Sequence, residues 1–259
     1  MSTFLFDEII FGPVESRRLG VSLGINLLPT TAKVCSFDCI YCECGFTPKD
    51  YEEKVTLPSR EEVREKLDAK LKEMAGEGKL PDVITFAGNG EPTLHRDFAG
   101  IIDDTIELRD KLAPEARIAV LSNATTLHRK PVFDALQKIK DNIQKLDSAF
   151  EETIRLIDCP RGVFDLERTI EKLVAFQGKV IIQTMFIRGT FKGKIIDNTT
   201  EEEISAWLEL LKKINPLQVM IYTIARDTPV ETLQKVPLDE LNSIAERVRA
   251  AGLDVQVSG

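Results

Sequence analysis

Residues 83–121, VITFAGNGEPTLHRDFAGIIDDTIELRDKLAPEARIAVL, hold the pattern that decides the fold. The stretch opens on the apolar, β-branched run Val83–Ala87 and closes on a second such run, Ile118–Leu121. Short runs of this kind are typical of strands buried in a parallel sheet. Between them, apolar residues recur at helical spacing over 101–108. The stretch therefore predicts a strand, a crossover helix and a second strand parallel to the first.

The same alternation continues along the chain, and no Pro/Gly/Ser-rich linker interrupts it. Further runs that predict strands are Val21–Leu27 (or, alternatively, Lys33–Cys35), Ile143–Leu146, Val180–Phe186, Val219–Ile224 and Leu253–Val257. They make six βα units and a final short strand, fewer than the eight of a closed barrel. An open, partial barrel or a doubly wound sheet fits that count. We expect one domain over 1–259, with 1–32 as an N-terminal extension and 33–259 as a partial barrel.

Two capping-box signatures mark the starts of helices. Ser59 is followed three residues later by Glu62, and Thr200 is followed in the same way by Glu203. In a capping box the hydroxyl accepts a hydrogen bond from the backbone three residues on, and the acidic side chain reaches back to the cap. These signatures predict helices that begin directly after the two hydroxyl residues.

The composition bounds the class of protein. The chain has 259 residues, 43% of them hydrophobic, and a formal net charge of −8. This composition is typical of a globular chain with a sizeable core and excludes disorder as the main architecture. The acidic balance argues against strong non-specific binding of nucleic acid. Since no apolar run approaches the roughly 20 residues that span a bilayer, and the first residues lack the features of a secretory signal, we expect a cytoplasmic protein.

Four of the five cysteines lie within ten residues, in Cys35-Ser-Phe-Asp-Cys39-Ile-Tyr-Cys42 and at Cys44. This loop follows the first predicted strand, so it lies at the carboxyl end of the sheet, where α/β folds bind ligands. Three thiolates at this spacing can hold three irons of a four-iron cluster and leave the fourth iron open. A four-thiolate zinc site, or a closed cluster with Cys44 as fourth ligand, is the alternative.

The C-x3-C-x2-C spacing, with the aromatic Tyr41 before the third cysteine, resembles the radical S-adenosylmethionine (SAM) superfamily. The resemblance implies a partial (β/α)6 barrel with a [4Fe–4S] cluster on Cys35, Cys39 and Cys42. It also implies that SAM binds the fourth iron, with Tyr41 near the cofactor, and that reduction cleaves SAM to methionine and a 5′-deoxyadenosyl radical. The radical then abstracts hydrogen from the substrate. An external one-electron donor, of the flavodoxin or ferredoxin type, is implied as a partner.

A glycine-rich segment after the second strand of the barrel resembles a motif of the same superfamily. It consists of Gly88, Asn89, Gly90, Glu91 and Pro92. Glycines let a backbone approach a ligand closely, and the carboxylate accepts hydrogen bonds from an ammonium group. In the superfamily a GGEP-like segment binds the amino group of SAM, and the resemblance therefore assigns these five residues to the cofactor. A plain strand-to-helix turn is the alternative.

Polar residues near the carboxyl ends of the later strands are further candidates for contact with SAM. They are Ser122, Asn123, Asp147, Gln183 and Tyr222. In the superfamily such positions contact the ribose or the carboxylate, or pack on the adenine. Ser122, Asn123 and Asp147 are equally suited to cap helices. Gln183 lies inside an apolar strand and needs a polar partner, which either the barrel lumen or a neighbouring backbone provides.

The stretch 12–26, GPVESRRLGVSLGIN, resembles a narrower branch related to the wyosine-synthesising radical enzymes, which act on transfer RNA. Those enzymes also use a second cluster, whereas no cysteine precedes Cys35 in this chain. The resemblance therefore predicts shared ancestry without predicting the wyosine reaction. The candidates for binding substrate are Arg17, Arg18, Cys159 and Arg226. Solvated or ion-paired arginines and an ordinary thiol are the alternatives.

Three classes of function remain open on the sequence. The first is a radical SAM enzyme that acts on a nucleoside- or tRNA-related substrate or on a small metabolite, although the net charge of −8 does not point to tRNA. The second is an activase of glycyl-radical enzymes, which shares the cysteine spacing. The third is a non-catalytic zinc or iron–sulfur module, against which the Gly88–Pro92 segment and the βα units argue.

Overall fold

A computed structural model describes residues 4–16, 19–49 and 56–259. The strands are β1 (Ile10–Ser16), β2 (Gly20–Ile25), β3 (Val83–Phe86), β4 (Arg117–Ser122), β5 (Asp141–Lys145), β6 (Ile181–Met185), β7 (Ile187–Phe191), β8 (Lys194–Asp197), β9 (Gln218–Tyr222), β10 (Gln234–Lys235) and β11 (Val255–Ser258). The helices are α1 (Arg60–Gly76), α2 (Phe98–Leu112), α3 (Lys130–Leu136), α4 (Glu151–Ile157), α5 (Leu166–Val174), α6 (Glu201–Ile214) and α7 (Leu238–Ala250). Within these described ranges, no helix is both long and apolar enough to cross a membrane.

Eight strands form one sheet in the order β1-β2-β3-β4-β5-β6-β9-β11, and the sheet curls into a half-barrel. β1 runs antiparallel to β2, whereas every later neighbour is parallel. The parallel strands follow one another in chain order across the sheet, while a doubly wound sheet reverses its order part-way. The predicted α/β partial barrel is therefore confirmed, and each of its parallel strands overlaps a predicted one.

Four short strands lack a clear signal in the sequence. β1 adds an antiparallel edge to the main sheet, and β7, β8 and β10 form a separate antiparallel sheet in the order β10-β7-β8. Most residues of these strands are exposed or half-exposed, and polar and apolar residues are mixed, so neither a continuous apolar run nor clean alternation marks them. Since β1 and β2 are hydrogen-bonded into the main sheet, that sheet begins inside the residues 1–32 that the sequence sets apart as an extension.

The two faces of the main sheet have different neighbours. The outer face packs against the helices in a large apolar cluster that includes Phe86, Phe98 and Trp207. The inner face carries a smaller cluster, formed by Leu19, Val83, Ala119, Ile143, Ile181 and Met220. Because side chains alternate along a strand, every second residue of each strand points into the lumen of the half-barrel.

The N-terminal segment covers this lumen with aromatic rings. The rings of Phe6 and Phe11 stack with their centroids 3.8 Å apart. Both rings line a cavity of about 140 Å³ together with inner-face residues of the sheet. A Cβ atom on Gly24 would lie 2.1 Å from the Phe11 ring. The absence of a side chain at Gly24 therefore makes room for this ring in the lumen.

Helices α1 and α6 begin with the predicted hydroxyl caps. The second half of the predicted box is wrong for α6, because Glu203 does not reach back to its cap. The Glu203 carboxylate is buried and accepts hydrogen bonds from Ser148 Oγ and Thr153 Oγ1, each at 2.6 Å. It therefore joins α6 to the loop that follows β5 and to α4.

Candidate active site

The cysteine loop lies beyond the carboxyl end of β2 and is held on two sides. On one side Val34 forms a parallel bridge with Gly90, and the backbone N–H of Glu91 donates to the Val34 carbonyl at 3.0 Å. On the other side Phe37 forms an antiparallel bridge with Pro160. The backbone of the cysteine loop is thus fixed between the end of β3 and the segment that follows α4.

The Gly88–Pro92 segment needs its glycines for this attachment. Gly90 has a φ of 136°, and a Cβ atom there would lie 1.9 Å from the Val34 carbonyl oxygen. Gly88 has a φ of 140°, and its Cβ would lie 2.6 Å from the side chain of Asn26. The segment therefore positions the cysteine loop through its backbone, and its predicted contact with SAM stays a prediction.

Glu91 joins the ends of β3 and β4. Its buried carboxylate accepts from the Thr93 N–H at 3.0 Å and from the Asn123 N–H at 2.6 Å. Burial raises the pKa of this carboxyl, while the hydrogen bonds from Thr93 and Asn123 lower it. Pro92 follows as the first residue of a short 3-10 turn. The predicted contact of Glu91 with the SAM ammonium group is untested and remains a prediction.

Asn123 reaches from the end of β4 to the cysteine loop. Its Nδ2 donates to Ser36 Oγ at 2.8 Å and lies 3.6 Å from Cys35 Sγ. The preceding residue, Ser122, accepts from the Ala124 N–H at 3.2 Å, which is a local turn contact. The structure therefore places Asn123 beside the first cysteine, while the predicted contacts of Ser122, Asn123 and Asp147 with SAM stay predictions.

The Asn89 side chain is used for a different contact. Its Oδ1 accepts from the Phe6 N–H, and its Nδ2 donates to the Phe6 and Pro29 carbonyls, each at 2.8 Å. The Asn89 side chain is fully buried. It fastens the N-terminal segment over the lumen, which is a role that its place in the motif does not predict.

Lys33 lies at the centre of the cysteine loop. Its side chain is 2% exposed, and its Nζ donates to the Gly45 carbonyl at 2.8 Å. Burial alone would lower the pKa of this ammonium group. The sulfurs of the three spaced cysteines and the Asp38 carboxylate, 3.7 Å away, raise it above its usual value. Cys35, Cys39 and Cys42 therefore all lie close to one buried cation.

The thiols of the loop have unequal acidities. Burial raises the pKa of Cys35 to about 12 and that of Cys39 well above its ordinary value. A hydrogen bond from the Cys44 thiol lowers the pKa of Cys42 to about 6, and Lys33 acts in the same direction. The same bond raises the pKa of Cys44. Three thiolates buried side by side therefore need further positive charge to stabilise them. Iron supplies this charge when it binds thiolate.

A buried polar network begins at Tyr41, the residue before the third cysteine. The Tyr41 hydroxyl is hydrogen-bonded to Asp147 and to Lys145. The Lys145 ammonium lies 2.8 Å from Asp147 and 3.5 Å from Asp158. Asp158 in turn accepts a hydrogen bond from the Cys39 thiol at 3.2 Å. The network therefore connects the ends of β5 and α4 to the cysteine loop.

The ionisable groups of this network have shifted pKa values. Burial raises the pKa of Asp158 to about 8, and the Asp147 carboxylate adds to the effect while Lys145 opposes it. Burial would lower the pKa of Lys145, but Asp147 and Asp158 raise it well above its usual value. The Lys145 ammonium group thus lies between two acidic side chains in a buried network.

Gln183 and Tyr222 lie on neighbouring strands, but in different surroundings. Gln183 lines the lumen of the half-barrel, as one of the two alternatives predicts. Tyr222 ends β9 and packs against the apolar cluster that contains the cysteine loop. It also lies close enough to Lys145 to raise the pKa of that ammonium group. Their predicted contacts with SAM stay predictions.

The candidates for substrate binding are separated in space. Arg226 is 69% exposed and forms an ion pair with Glu43 at 2.6 Å, which agrees with the surface-pair alternative. Cys159 lines a cleft of about 530 Å³ beside the cysteine loop, and burial raises the pKa of its thiol. Arg17 and Arg18 lie outside the described residues.

Three charged residues of the site are absent from the sequence prediction: Lys33, Lys145 and Asp158. A signal was present for the two lysines, because each lies in or beside a run of residues predicted to be buried, where an ammonium group is rare unless paired. Asp158 carries no comparable signal, since its place depends on the bridge between Phe37 and Pro160.

The donor set fits a four-iron cluster. Cys35, Cys39 and Cys42 are free thiols on one loop and share a buried cation as neighbour. Within the described ranges, no three His, Cys, Asp or Glu side chains are gathered as ligands of a single metal ion. A four-iron cluster places each thiolate on a different iron, so its ligand sulfurs stand further apart than those around one ion.

The comparison with protein families adds an independent observation. The family described as the radical SAM superfamily matches residues 30–211, which include the cysteine loop, helices α1 to α5 and most of α6. The chain belongs to the radical SAM superfamily. Members of this superfamily are enzymes that use a [4Fe–4S] cluster and SAM, so the predicted resemblance is confirmed at that level.

Two curated relatives align with most of the chain. It is 34% identical over 237 residues to UPF0026 protein MJ1312 of Methanocaldococcus jannaschii, covering 90% of this chain and 68% of the relative. It is also 29% identical over 252 residues to a protein of Brachyspira hyodysenteriae named GTPase Obg, covering 96% of this chain. The chain spans 34% of the length of that second relative.

Solved structures share the fold. A radical SAM methyltransferase from Sphaerobacter thermophilus aligns with a TM-score of 0.66 at 15% identity, covering 92% of this chain and 65% of that one. A structure of TYW1 with a lysine–pyruvate adduct bound aligns with a TM-score of 0.61 at 17% identity, covering 88% and 73%. At such identities the agreement concerns the half-barrel alone.

Proposed function

We propose that this protein is a radical SAM enzyme whose cluster is held by Cys35, Cys39 and Cys42, and whose substrate binds at the carboxyl end of the half-barrel. The observation that carries the proposal is that the loop with these three free thiols is fixed at the carboxyl end of the sheet by its bridges to Gly90 and Pro160. Membership of the radical SAM superfamily supports the same assignment. The organisation as one domain over 1–259 belongs to this proposal as well, with 1–32 as an N-terminal extension that contributes β1 and β2 to the sheet.

When bound, the cluster supplies the electron that cleaves SAM to a 5′-deoxyadenosyl radical. The residues of the chain orient and enclose the reactants. Asn123 and Glu91 fix the ends of β3 and β4 beside Cys35. Asp147 is held by Lys145 and Tyr41, and so presents a fixed polar group at the end of β5. The rings of Phe6 and Phe11 keep water from the lumen, which protects a reactive radical.

The proposal includes an external one-electron donor of the flavodoxin or ferredoxin type, because radical SAM enzymes in general need an external donor. It also includes two substrate classes, a nucleoside- or tRNA-related molecule and a small metabolite. To separate them, reduced protein with SAM would be incubated with deuterated RNA and deuterated small-metabolite fractions in turn. Deuterium in 5′-deoxyadenosine from one fraction alone would identify the class.

Iron content tests the ligand assignment. Anaerobically reconstituted wild-type protein should bind about four irons, and its visible absorption should change when SAM is added. Cys39→Ala removes the most deeply buried ligand and should abolish most of the iron uptake. The measurement is iron per protein, together with the absorption spectrum.

Cys44→Ala and Cys159→Ala are matched controls, since each removes a thiol near the loop that is not a proposed ligand. Both should retain iron near the wild-type level. Iron loss in Cys44→Ala equal to that in Cys39→Ala would contradict the assignment and favour a closed cluster with Cys44 as ligand. Tight zinc binding with no iron uptake in the wild type would favour the non-catalytic module.

A further inference from the structure

We propose that Lys33 is a built-in countercharge for the cluster, a positioning residue that makes the cluster easier to reduce. The inference rests on the proposed function, since it takes Cys35, Cys39 and Cys42 as the ligands. Lys33 is two residues from Cys35 and belongs to none of the motifs of the superfamily that the sequence shows. Its side chain is 2% exposed, so water screens its charge only weakly.

The position of the ammonium group is fixed by the loop itself. Lys33 Nζ donates to the Gly45 carbonyl at 2.8 Å. Because Lys33 precedes the cysteines and Gly45 follows them, this hydrogen bond joins the two ends of the loop. It also lies against the sulfur of Cys42. The group is therefore held within the cysteine loop, beside Cys42 and near enough to Cys35 and Cys39 to act on their charge.

The charge of Lys33 is only partly neutralised. Its nearest carboxylate is that of Asp38, at 3.7 Å, and this carboxylate is shared with Arg161, whose Nη1 lies 2.9 Å away. Lys145, the other buried cation near the loop, has Asp147 at 2.8 Å and Asp158 at 3.5 Å. Of these two lysines, Lys33 is thus the one that leaves positive charge for the loop.

The chemistry of the group explains why such a charge matters. Three thiolates outweigh the positive charge of the iron–sulfide core, so the bound group is anionic, and accepting an electron adds one more negative charge. A buried anion is destabilised unless a cation or hydrogen bonds compensate it. A fixed ammonium group stabilises the reduced form more than the oxidised form and hence raises the reduction potential. Net charge and hydrogen bonds near the sulfurs are known levers on such potentials.

The test is a redox titration of reconstituted variants, followed by electron paramagnetic resonance. Lys33→Met should make one-electron reduction at least tenfold less favourable, a fall in midpoint potential of about 59 mV. Lys33→Arg keeps the charge, so its midpoint potential should stay close to that of the wild type. Lys130→Met removes an exposed, ion-paired lysine and should leave the potential unchanged.

Asp38→Asn gives a second test with the opposite sign. It removes the carboxylate beside Lys33 while keeping an oxygen that can accept from the Thr47 N–H, so the potential should rise. If Lys33→Met holds no cluster, Lys33→Gln, whose amide can still donate to the Gly45 carbonyl, replaces it and should show the same fall in potential. An unchanged potential in a loaded Lys33→Met protein, or an unchanged or lower one in Asp38→Asn, would overturn the inference. Wild-type protein that binds no cluster would instead overturn the proposed function.

Discussion

Gly90 and Val34 show how single residues place the cysteine loop. The three cysteines supply the donor atoms, but the course of the loop depends on a backbone bridge that only glycine permits. The same holds in the lumen, where Gly24 makes room for the ring of Phe11. Function at this scale therefore depends on the lack of a side chain as much as on the presence of a thiol.

Gly90→Ala tests this account at the residue scale. The added Cβ would meet the Val34 carbonyl at 1.9 Å in a backbone conformation that side chains rarely adopt. We expect a loss of stability of more than about 2 kcal/mol, together with poor iron uptake, because the cysteine loop loses its attachment. Chemical denaturation and iron content measure the two effects.

Gly76→Ala is the matched control. It lies at the end of α1 with no heavy atom near the site of the added Cβ. This change should stabilise the protein by about 0.5–1 kcal/mol, as alanine does in helices, and leave iron content unaltered. If the two variants behave alike, the bridge between Val34 and Gly90 does not position the loop.

At the scale of elements, α1 and α2 are joined by an ionic cluster on the outer side of the half-barrel. Asp104 on α2 accepts from Arg60 Nε at 2.6 Å and from Arg64 at 3.0 Å, both on α1. The hydrogen bonds from Arg60 lower the pKa of Asp104 below its usual value. This link fixes α1 to α2, the helix that follows β3, although a long segment separates α1 from β2 in the chain.

Asp104→Asn should destabilise the protein at pH 7 by about 1 kcal/mol, a value discounted because the arginine side chains are partly exposed. Since the folded-state pKa lies below the unfolded one, the contribution is complete above the unfolded pKa. It is lost as the pH falls through the folded pKa. The difference between the variant and the wild type should therefore shrink in acid, as urea denaturation at several pH values would measure.

The neighbouring Asp103→Asn serves as control, because Asp103 pairs with Lys138 on an exposed surface. Its effect should be near zero at every pH. A loss of stability as large as that of Asp104→Asn, or a difference for Asp104→Asn that does not depend on pH, would show that the link between α1 and α2 is not what stabilises this region.

On the scale of the whole molecule, the N-terminal segment turns an open half-barrel into a covered one. Phe4 N–H donates to the Glu43 carbonyl of the cysteine loop at 3.0 Å. The Asn89 side chain forms hydrogen bonds with both the N–H and the carbonyl of Phe6. The rings of Phe6 and Phe11 then lie over the lumen. Hydrogen bonds thus hold the N-terminal segment to both the cysteine loop and the Gly88–Pro92 segment.

Asn89→Ala should release this cover. Three hydrogen bonds to backbone groups of Phe6 and Pro29 are lost, and buried partners are left unsatisfied, so we expect a destabilisation of about 2–3 kcal/mol. Amide hydrogen exchange should accelerate in residues 4–11 more than in the parallel strands. Gln218→Ala, which removes an exposed bond to Asp254, should not change exchange in this segment. Equal acceleration everywhere in Asn89→Ala would mean that Asn89 stabilises the fold as a whole.

The sequence predicts the parts of the molecule that repeat and misses those that depend on tertiary contact. The parallel strands are predictable because both their faces are buried, which leaves a continuous apolar run such as Val83–Ala87. The three cysteines are predictable because their spacing is local. For Lys33 and Lys145 the sequence shows only that a lysine lies in or beside a run of residues predicted to be buried, because the role of each lysine comes from the groups that surround it in the fold. Asn89 lies in a predicted motif, but its partner Phe6 is far away in the chain.

Formation of 5′-deoxyadenosine tests the central claim most directly. Reconstituted protein would be reduced without oxygen in the presence of SAM, and the products would be separated by chromatography. We predict that the wild type and Cys44→Ala form 5′-deoxyadenosine and that Cys39→Ala forms none. A wild type that carries its cluster but forms no 5′-deoxyadenosine, or a Cys39→Ala variant that still forms it, would contradict the claim that Cys35, Cys39 and Cys42 make this chain a radical SAM enzyme.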